Sequence, residues 1–309
     1  KNIQHDIVGN KWYTKLESYC ISKGSSSSNT PKPTLTNISI SSGRVSSGVV
    51  FTGNANIIDP NNTTDIIVKG KTGIPIFNPY NLRNYPKRTN VNKIILHFTN
   101  GHENTQAIGT TDYLGRANGN PFSTPGFMSG IHYAVDRTGA VATGPSEDKI
   151  TIHGNNWNQT GIGIEIVTYG GFKSSSNGSY KHFNYNTTKT TSDGIIDLGF
   201  YWFGARYTQE FTDVEINALE KLIRDIDKRN NGIMINAIKG KSLWQYIFGI
   251  PSKPKPGGKY QTTLIGTQIG QKTWTQPGIF GHTTGGGTHV DPYPTPKLIA
   301  MLKRLGFIE

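Results

Sequence analysis

The sequence contains a single cysteine, Cys20, among 309 residues. One thiol cannot close an internal disulfide, so a disulfide-stabilised scaffold and a cysteine-only metal site are both excluded. The chain also lacks a run of about 18 apolar residues, which excludes a transmembrane helix. Its first ten residues lack the basic-then-apolar pattern of a signal peptide. A signal removed before residue 1 stays open, because residue 1 is not Met.

Acidic residues are scarce in two parts of the chain. Residues 1–90 hold eleven Lys or Arg and four Asp or Glu, and residues 236–276 hold six Lys and no acid. The rest of the chain is nearly neutral, although the formal net charge of the whole chain is +12. Concentrated positive charge favours a polyanion such as nucleic acid, anionic lipid or anionic cell-wall polymer, and a solubility surface is the alternative. No zinc-finger or ribonucleoprotein motif accompanies the charge, which argues against nucleic acid.

The N-terminal part, residues 1–85, is predicted to be a β-rich accessory region with a linker. Its linker is the polar stretch GSSSSNTPKP, a composition typical of flexible connections. Short strand patterns follow in TLTNISIS, GVVFTGNANII and TDIIVKG, separated by the turn sequences DPNN and KTG. Turn residues between short apolar runs are the usual signature of small β-structures.

Residues 86–309 are predicted to form one α/β (α+β) domain, with a central mixed β-sheet flanked by helices. Strand patterns lie in KIILHF, in residues 131–141 and in residues 161–168. Helical periodicity with start signals lies in residues 212–229 and 295–305. Strands that alternate with helices indicate this fold class. Two loop-rich segments, 170–208 and 236–276, are expected to be insertions.

Three polar residues are candidate metal ligands. His97 ends the strand KIILHF, His282 precedes a Gly-rich loop, and Asp291 follows nine residues later. A catalytic zinc ion usually takes three protein ligands, and imidazole and carboxylate both suit it. Pairs of His and Asp at this spacing are frequent, so the spacing alone leaves an ordinary structural role for each His open.

Glu165 lies in the middle of the Ile-rich strand pattern GIGIEIV. Successive strand residues point to opposite faces, so Glu165 faces away from Ile164 and Ile166. The strand therefore has either one solvent-facing side or a carboxylate directed into a site, where partial burial tunes it as a general base. The neighbouring Gly161 and Gly163 favour the close approach of a ligand or of backbone.

Five sequence pieces in one order resemble a known family. They are KIILHFT, IHYAVDRTGAV, ITIHGNNWNQTGIGIEIV, the helix FTDVEINALEKLI, and GH followed by HVDPYP. The series resembles the zinc-dependent N-acetylmuramoyl-L-alanine amidases of the type 2 amidase family, which also includes peptidoglycan recognition proteins and phage amidase lysozymes. The resemblance covers roughly residues 91–309 and leaves residues 1–85 outside it.

The resemblance implies a role for each matching residue. One zinc ion is expected on His97, His282 and Asp291, and Glu165 is expected to be the catalytic carboxylate. Where the family often has a Lys two residues before the third ligand, this chain has His289, whose imidazolium is expected to take over the electrostatic role. Residues near the family's substrate cleft match His132, His153 and Asn156, which are expected to bind substrate or to support the ligands.

The activity implied is hydrolysis of the amide that joins N-acetylmuramic acid to L-alanine in peptidoglycan. The chain is then a bacteriolytic, endolysin-like enzyme that works outside the cell, in the periplasm or from a virion. Anionic wall polymers are expected as further partners of Lys253, Lys255 and Lys259. The alternatives are a non-catalytic wall-binding protein of the same fold, a phage-tail structural protein, and a zinc hydrolase of another amide. The sequence does not determine the oligomeric state.

Overall fold

The computed structural model describes residues 49–50, 76–77, 88, 90–101, 107, 110, 130–143, 147–174, 178–183, 187–261, 264–285 and 289–309. Most of the predicted accessory region 1–85, with its linker and Cys20, lies outside these residues. Within that region the described backbone forms two short strands, β1 (Val49–Val50) and β2 (Ile76–Phe77), which pair in antiparallel fashion.

The remaining elements lie in residues 93–305. The strands are β3 (Lys93–Phe98), β4 (Tyr133–Val135), β5 (Val141–Thr143), β6 (Gly161–Ile166), β7 (Gly171–Ser174), β8 (Tyr180–His182), β9 (Thr188–Lys189), β10 (Ile195–Trp202), β11 (Ala205–Gln209), β12 (Lys259–Tyr260) and β13 (Gly278–Gly281). The helices are α1 (Asp213–Arg229), α2 (Ile233–Ile238), α3 (Leu243–Tyr246), α4 (Leu264–Lys272) and α5 (Pro296–Leu305).

The central sheet has five strands in the order β13-β3-β6-β4-β5. The first four are parallel and only β5 runs antiparallel, against β4. Their apolar sequences read as continuous runs because both faces of the sheet are covered, as is usual for parallel strands. The predicted strands KIILHF and 161–168 are therefore confirmed, and so is the mixed α/β fold class.

Residues of β3 and β6 alternate between two faces of this sheet. Ile94, Leu96 and Phe98 face the main hydrophobic core together with Ile162, Ile164 and Ile166. Ile95 instead packs with Trp157 and Phe280 on the opposite face. His97 and Glu165 are register partners on the two strands and share that opposite face. The alternation thus separates core residues from candidate site residues.

A second sheet of six strands has the order β12-β10-β11-β7-β8-β9. Its strands β7 to β11 occupy the segment 170–208 that the sequence predicts to be loop-rich, so that expectation is wrong. Four of these strands are only two to five residues long, which is too short to show a clear alternation, and Asp197 and Gly199 interrupt the apolar sequence of β10. The strands are held by pairing and by a small core of Tyr169, Phe172 and Ile195. The segment 236–276 likewise contains α3 and α4 and is not a simple loop.

The two longest predicted helices are present at the predicted places. Thr212 caps α1 by accepting a hydrogen bond from the backbone N–H of Glu215, and α5 begins with Pro296 in its first turn. The apolar stripe of α1 faces the core, except that Val214 is 42% exposed and lies outside the stripe predicted for it. Among the described residues, no helix is long and apolar enough to cross a membrane.

Candidate metal centre and catalytic site

His97, His282 and Asp291 meet at the carboxyl ends of two neighbouring strands. His97 is the fifth residue of β3, and His282 directly follows β13, the strand beside it. Asp291 reaches the same point from the segment before α5. Ligand sites of open parallel sheets commonly lie at this edge, because side chains from adjacent strand ends converge there.

The three side chains present one atom each to a common point. His97 Nδ1 lies 3.0 Å from His282 Nδ1 and 3.3 Å from Asp291 Oδ2. His282 Nδ1 lies 3.1 Å from the same carboxylate oxygen. All three residues form a group whose ligand atoms are mutually within 4.8 Å. The structure therefore brings together the three residues predicted to be metal ligands.

This donor set fits a zinc ion. Zinc bonds of about 2.0–2.2 Å in a tetrahedral site separate the ligand atoms by roughly 3.3–3.5 Å, close to the distances found here. Two imidazole lone pairs that face each other at 3.0 Å repel unless a proton or a cation lies between them. Two nitrogens and a carboxylate are also the ligand types that zinc accepts.

His153 determines which nitrogen of His97 faces this point. Its Nε2 lies 3.2 Å from the backbone carbonyl oxygen of Gly161, which can only accept, so Nε2 carries the proton. Nδ1 of the neutral ring is then an acceptor, and His97 Nε2 donates to it at 3.1 Å. The remaining nitrogen of His97, Nδ1, therefore keeps its lone pair directed at the point where the three candidate ligand atoms converge. Such outer hydrogen bonds commonly fix the tautomer of a metal-binding His.

Electrostatics favour the protonation states that a metal site needs. Burial, reinforced by the neighbouring His282, lowers the pKa of His97 to about 4. The pKa of His153 also lies well below its usual range, chiefly through burial and then through His97. Burial opposes ionisation of Asp291, but the two neighbouring imidazoles, His282 first and then His97, outweigh it and lower the pKa of Asp291. Neutral imidazoles and an ionised carboxylate bind metal most tightly.

Glu165 is a buried carboxylate beside this centre. Its strand position is paired with His97, and its Oε2 has no hydrogen-bond partner among the described residues. Burial raises the pKa of Glu165 well above its usual value, and the negative charge of Asp291 adds to the increase. A buried polar atom without a partner is unfavourable, so Glu165 is suited to a water molecule or a substrate group.

His132 does not face open space. It is 1% exposed, its Nδ1 accepts from the backbone N–H of Gly163 at 3.1 Å, and its Nε2 lies 2.9 Å from Arg88 Nη2. Burial and the charge of Arg88 hold the pKa of His132 well below its usual range. Protein groups therefore surround the ring, and of the two expected roles, substrate contact and support of the ligands, the second fits this position better.

The sequence did not indicate the role of Asn158. Its Oδ1 accepts from the backbone N–H groups of His153 at 2.9 Å and Gly154 at 2.6 Å, which holds the segment that carries His153. Asn156, the residue predicted to bind substrate, is exposed on a short 3₁₀ helix, Asn155–Gln159, and its role stays a prediction. An Asn side chain that accepts from backbone N–H groups four or five residues away is common in loops, so the sequence offers only a weak signal for this role.

Gly163 provides the room in which His153 lies. A Cβ atom at this position would lie 2.4 Å from Ile131 Cδ1 and 2.6 Å from His153 Nδ1. Real Cβ atoms do not approach other heavy atoms so closely. The expectation that the glycines beside Glu165 permit a close approach is therefore confirmed at Gly163, where the approaching group is an imidazole ring.

His289 stacks on His282, with ring centroids 3.6 Å apart and planes inclined by 27°. Burial and the neighbouring His282 lower the pKa of His289, which favours a neutral ring over the expected imidazolium. A neutral ring still offers one N–H donor.

The three remaining histidines are not among the predicted site residues. His182 lies in β8 of the second sheet, and His5 and His102 lie outside the described residues.

Comparison with known families agrees with this geometry. A family model described as N-acetylmuramoyl-L-alanine amidase, Amidase_2, matches residues 87–258, which is more than half of the chain. The match includes His97 and Glu165, and it ends before His282 and Asp291. A search of curated proteins gives no match. On the strength of the family match, this chain belongs to the Amidase_2 family of N-acetylmuramoyl-L-alanine amidases.

Proposed function

We propose that the chain is a zinc-dependent N-acetylmuramoyl-L-alanine amidase, which cleaves the bond between N-acetylmuramic acid and L-alanine. Membership of the Amidase_2 family supports an amidase that acts on peptidoglycan. The main support for zinc dependence and for hydrolysis of this amide is the convergence of His97, His282 and Asp291 beside the buried oxygen of Glu165, which has no partner among the described residues.

His97, His282 and Asp291 are the residues proposed to hold one zinc ion. When bound, a zinc ion supplies Lewis-acid chemistry, because it polarises an amide carbonyl and lowers the pKa of water to about 7. His153 orients His97, and the Gly161 carbonyl orients His153. These residues keep the lone pairs directed at the metal point before substrate arrives.

Glu165 is proposed to move the protons of the reaction. An attacking water molecule must lose a proton, and the departing amine of L-alanine must gain one. The carboxylate of Glu165 accepts the first proton and returns it to the amine as the C–N bond breaks. A raised pKa brings the carboxyl group closer to the operating pH, which makes both transfers more efficient.

His289 is proposed to donate a hydrogen bond to the oxyanion that forms on the amide oxygen. Its ring is half-buried and fixed by stacking on His282. A fixed donor stabilises developing charge without having to reorganise during the reaction. A neutral imidazole N–H can serve this role, as a Lys ammonium does with full charge.

The test is to incubate the full-length protein with a defined muramyl-peptide, with and without a chelator, and to identify the products by mass spectrometry. We expect a free peptide that begins at L-alanine, no product with chelator, and recovery on addition of zinc. His97→Ala is the control that removes one proposed ligand and should be inactive in every condition. An uncleaved substrate in the presence of bound zinc would contradict the proposal and favour a wall-binding protein or another amide.

The alternative of a non-catalytic wall-binding protein is less well supported. A recognition protein has no need for a complete set of three ligand atoms, nor for a buried carboxylate with an unpartnered oxygen. Action on intact peptidoglycan also implies that the protein reaches the wall, by secretion or on a virion. A structural role for residues 1–85 in a virion is compatible with the enzyme.

A further inference from the structure

The second sheet carries a row of like charges. Residues 166–192 contain three Lys and no Asp or Glu. Two of these, Lys173 on β7 and Lys181 on β8, are direct register partners and both are exposed. Like charges placed directly opposite each other destabilise a sheet, so this arrangement weakens the fold unless an anion compensates it.

The row continues onto β11. The β11–β7 register pairs Tyr207 with Phe172, and one further step places Arg206 opposite Lys173. Arg206 is paired with Asp197, whose Oδ2 accepts from Nη2 at 2.8 Å. Among the described residues, no carboxylate lies within ion-pairing distance of Lys173 or Lys181. One acid therefore faces three cations.

An aromatic pocket adjoins this row. It has a volume of about 500 Å³ and is lined by Tyr201, Phe203, Gly204, Lys259, Tyr260 and Gln261. The Tyr260 hydroxyl accepts from the backbone N–H of Lys255 at 2.7 Å, which fixes this ring in the wall of the pocket. Pockets of this size, with aromatic walls and a few polar groups, suit a small cyclic or polyol ligand.

Contacts join the pocket to the row of cations. The Lys173 ammonium lies 4.2 Å from the centroid of Phe183, and Gly204 of the pocket lies against the edge of the same ring. Tyr201 of the pocket interacts with the side chain of Arg206. Lys259 is the register partner of Tyr201 on β12. The aromatic and basic residues thus form one continuous surface, here called the basic-aromatic face: Lys173, Lys181, Phe183, Tyr201, Phe203, Arg206, Lys259 and Tyr260.

The basic-aromatic face is connected to the candidate metal centre. Trp202, between Tyr201 and Phe203 in β10 and its turn, donates from Nε1 to the carbonyl oxygen of Val290 at 2.9 Å. Val290 precedes Asp291. Tyr293 also packs closely against the backbone of Gly171 at the start of β7. The second sheet therefore contacts and supports the segment that supplies Asp291, the third proposed ligand.

We propose that the basic-aromatic face binds an anionic polymer of the cell wall, with phosphate groups on Lys173, Lys181 and Lys259 and a sugar or polyol unit in the aromatic pocket. This proposal rests on the proposed function, which brings the domain to the wall. Charge complementarity supports an anion, and the aromatic pocket beside the cations supports a ligand that carries a sugar or polyol unit next to its charged groups. Of the lysines predicted for this role from residues 236–276, Lys253 is instead paired with Glu309 at 3.0 Å.

The test compares binding of the full-length protein to isolated walls that retain their anionic polymer and to walls stripped of it. The variant is Lys173→Gln with Lys181→Gln, and the matched control is Lys228→Gln with Lys241→Gln, two exposed lysines on α1 and after α2. Each exposed ion pair is worth about a two- to fivefold change, so we expect roughly four- to twenty-five-fold weaker binding in low salt for the variant alone. Binding should weaken with salt for the parent and less for the variant.

A second variant, Tyr201→Ala, separates the pocket from the charges. It should weaken binding to polymer-bearing walls while its binding to soluble double-stranded DNA, whose bases are stacked inside the duplex, stays as in the parent. Equal binding to stripped and unstripped walls, an unchanged double-lysine variant, or equal loss of DNA and wall binding would each overturn the proposal. Hydrolysis of a soluble muramyl-peptide is measured in parallel. Its failure would contradict the proposed function alone, because soluble substrate does not need this face.

Discussion

A single proton on His153 decides which atom of His97 is available to a metal ion. The Gly161 carbonyl can only accept, so it holds the proton on His153 Nε2, and each ring in the series then has one possible tautomer. The unsatisfied oxygen of Glu165 is a second feature at this scale. Both features belong to polar atoms that are buried and directional, where the loss of one partner has a large effect.

Glu165→Gln tests the proton-transfer role. The amide has nearly the same shape but cannot accept a proton, so we expect turnover of muramyl-peptide to fall by about 10²- to 10⁴-fold. Zinc content, measured by elemental analysis of the purified protein, should stay at the level of the parent. A variant that loses its metal would instead make Glu165 a ligand.

His153→Ala tests the positioning role of that residue. Loss of the acceptor frees His97 to rotate or change tautomer, so we expect zinc affinity to fall by about 10- to 100-fold. Competition with a chromogenic chelator measures the affinity without any substrate. Asn156→Ala is the matched control, because that side chain is exposed on the same segment and should leave zinc affinity unchanged. Equal zinc affinity in the two variants would show that His153 does not position His97 for metal binding.

At the scale of elements, β3 and β6 do most to build the site. Their parallel register places His97 beside Glu165, and the adjacent β13 delivers His282 to the same edge. Helix α4 packs against the turn that carries His282, since a Cβ atom at Gly270 would meet the Thr284 carbonyl oxygen. Close backbone contacts of this kind require glycine at defined places.

Gly163→Ala tests the close approach of His153 to β6. The added methyl group overlaps the imidazole, and overpacking of this kind destabilises by roughly 1–3 kcal/mol. We expect a lower denaturation midpoint together with weaker zinc binding, because His153 must move. Gly154→Ala is the control in the neighbouring segment, where the nearest contact of an added Cβ is 3.8 Å. If Gly163→Ala lowers the stability but leaves the zinc affinity unchanged, the close approach of His153 to β6 matters for the fold and not for metal binding.

Lys93, the first residue of β3, gives a prediction for pH. Its side chain is fully buried and donates to Asn92 Oδ1 and Thr160 Oγ1, both neutral, and burial lowers its pKa to about 8. Between about pH 8 and the unfolded value near 10.5 the unfolded chain binds more protons, so stability should rise with pH. The gain is at most about 3 kcal/mol. Urea denaturation of the parent and of Lys93→Met from pH 7 to 10.5 measures it, and parallel curves would contradict the assignment.

For the whole molecule, the proposed division of labour is testable by truncation. The proposed ligands, Glu165 and both large sheets lie within residues 86–309, so this piece should hydrolyse a soluble muramyl-peptide at about the rate of the full chain. Slower attack on intact walls by the truncated piece would assign targeting to residues 1–85. If the piece is folded by circular dichroism yet inactive on soluble substrate, the chemistry is not self-contained.

The sequence by itself determined the central strands and the two long helices, and it led to the proposed site residues His97, His282, Asp291 and Glu165. Apolar periodicity, capping residues and the ordered motifs are local properties, so they can be read along the chain. The Gly163 position was also readable, because a glycine beside a strand carboxylate predicts a close neighbour.

Only the tertiary structure decided which of the other histidines support the site. His132 and His153 look alike in sequence, yet one is enclosed by Arg88 and backbone while the other orients His97. The second sheet was also hidden, because polar strands such as Gly171–Ser174 are recognisable only through their partners. Cross-strand pairing and ring tautomers depend on groups far apart in the chain, which is why no local pattern encodes them.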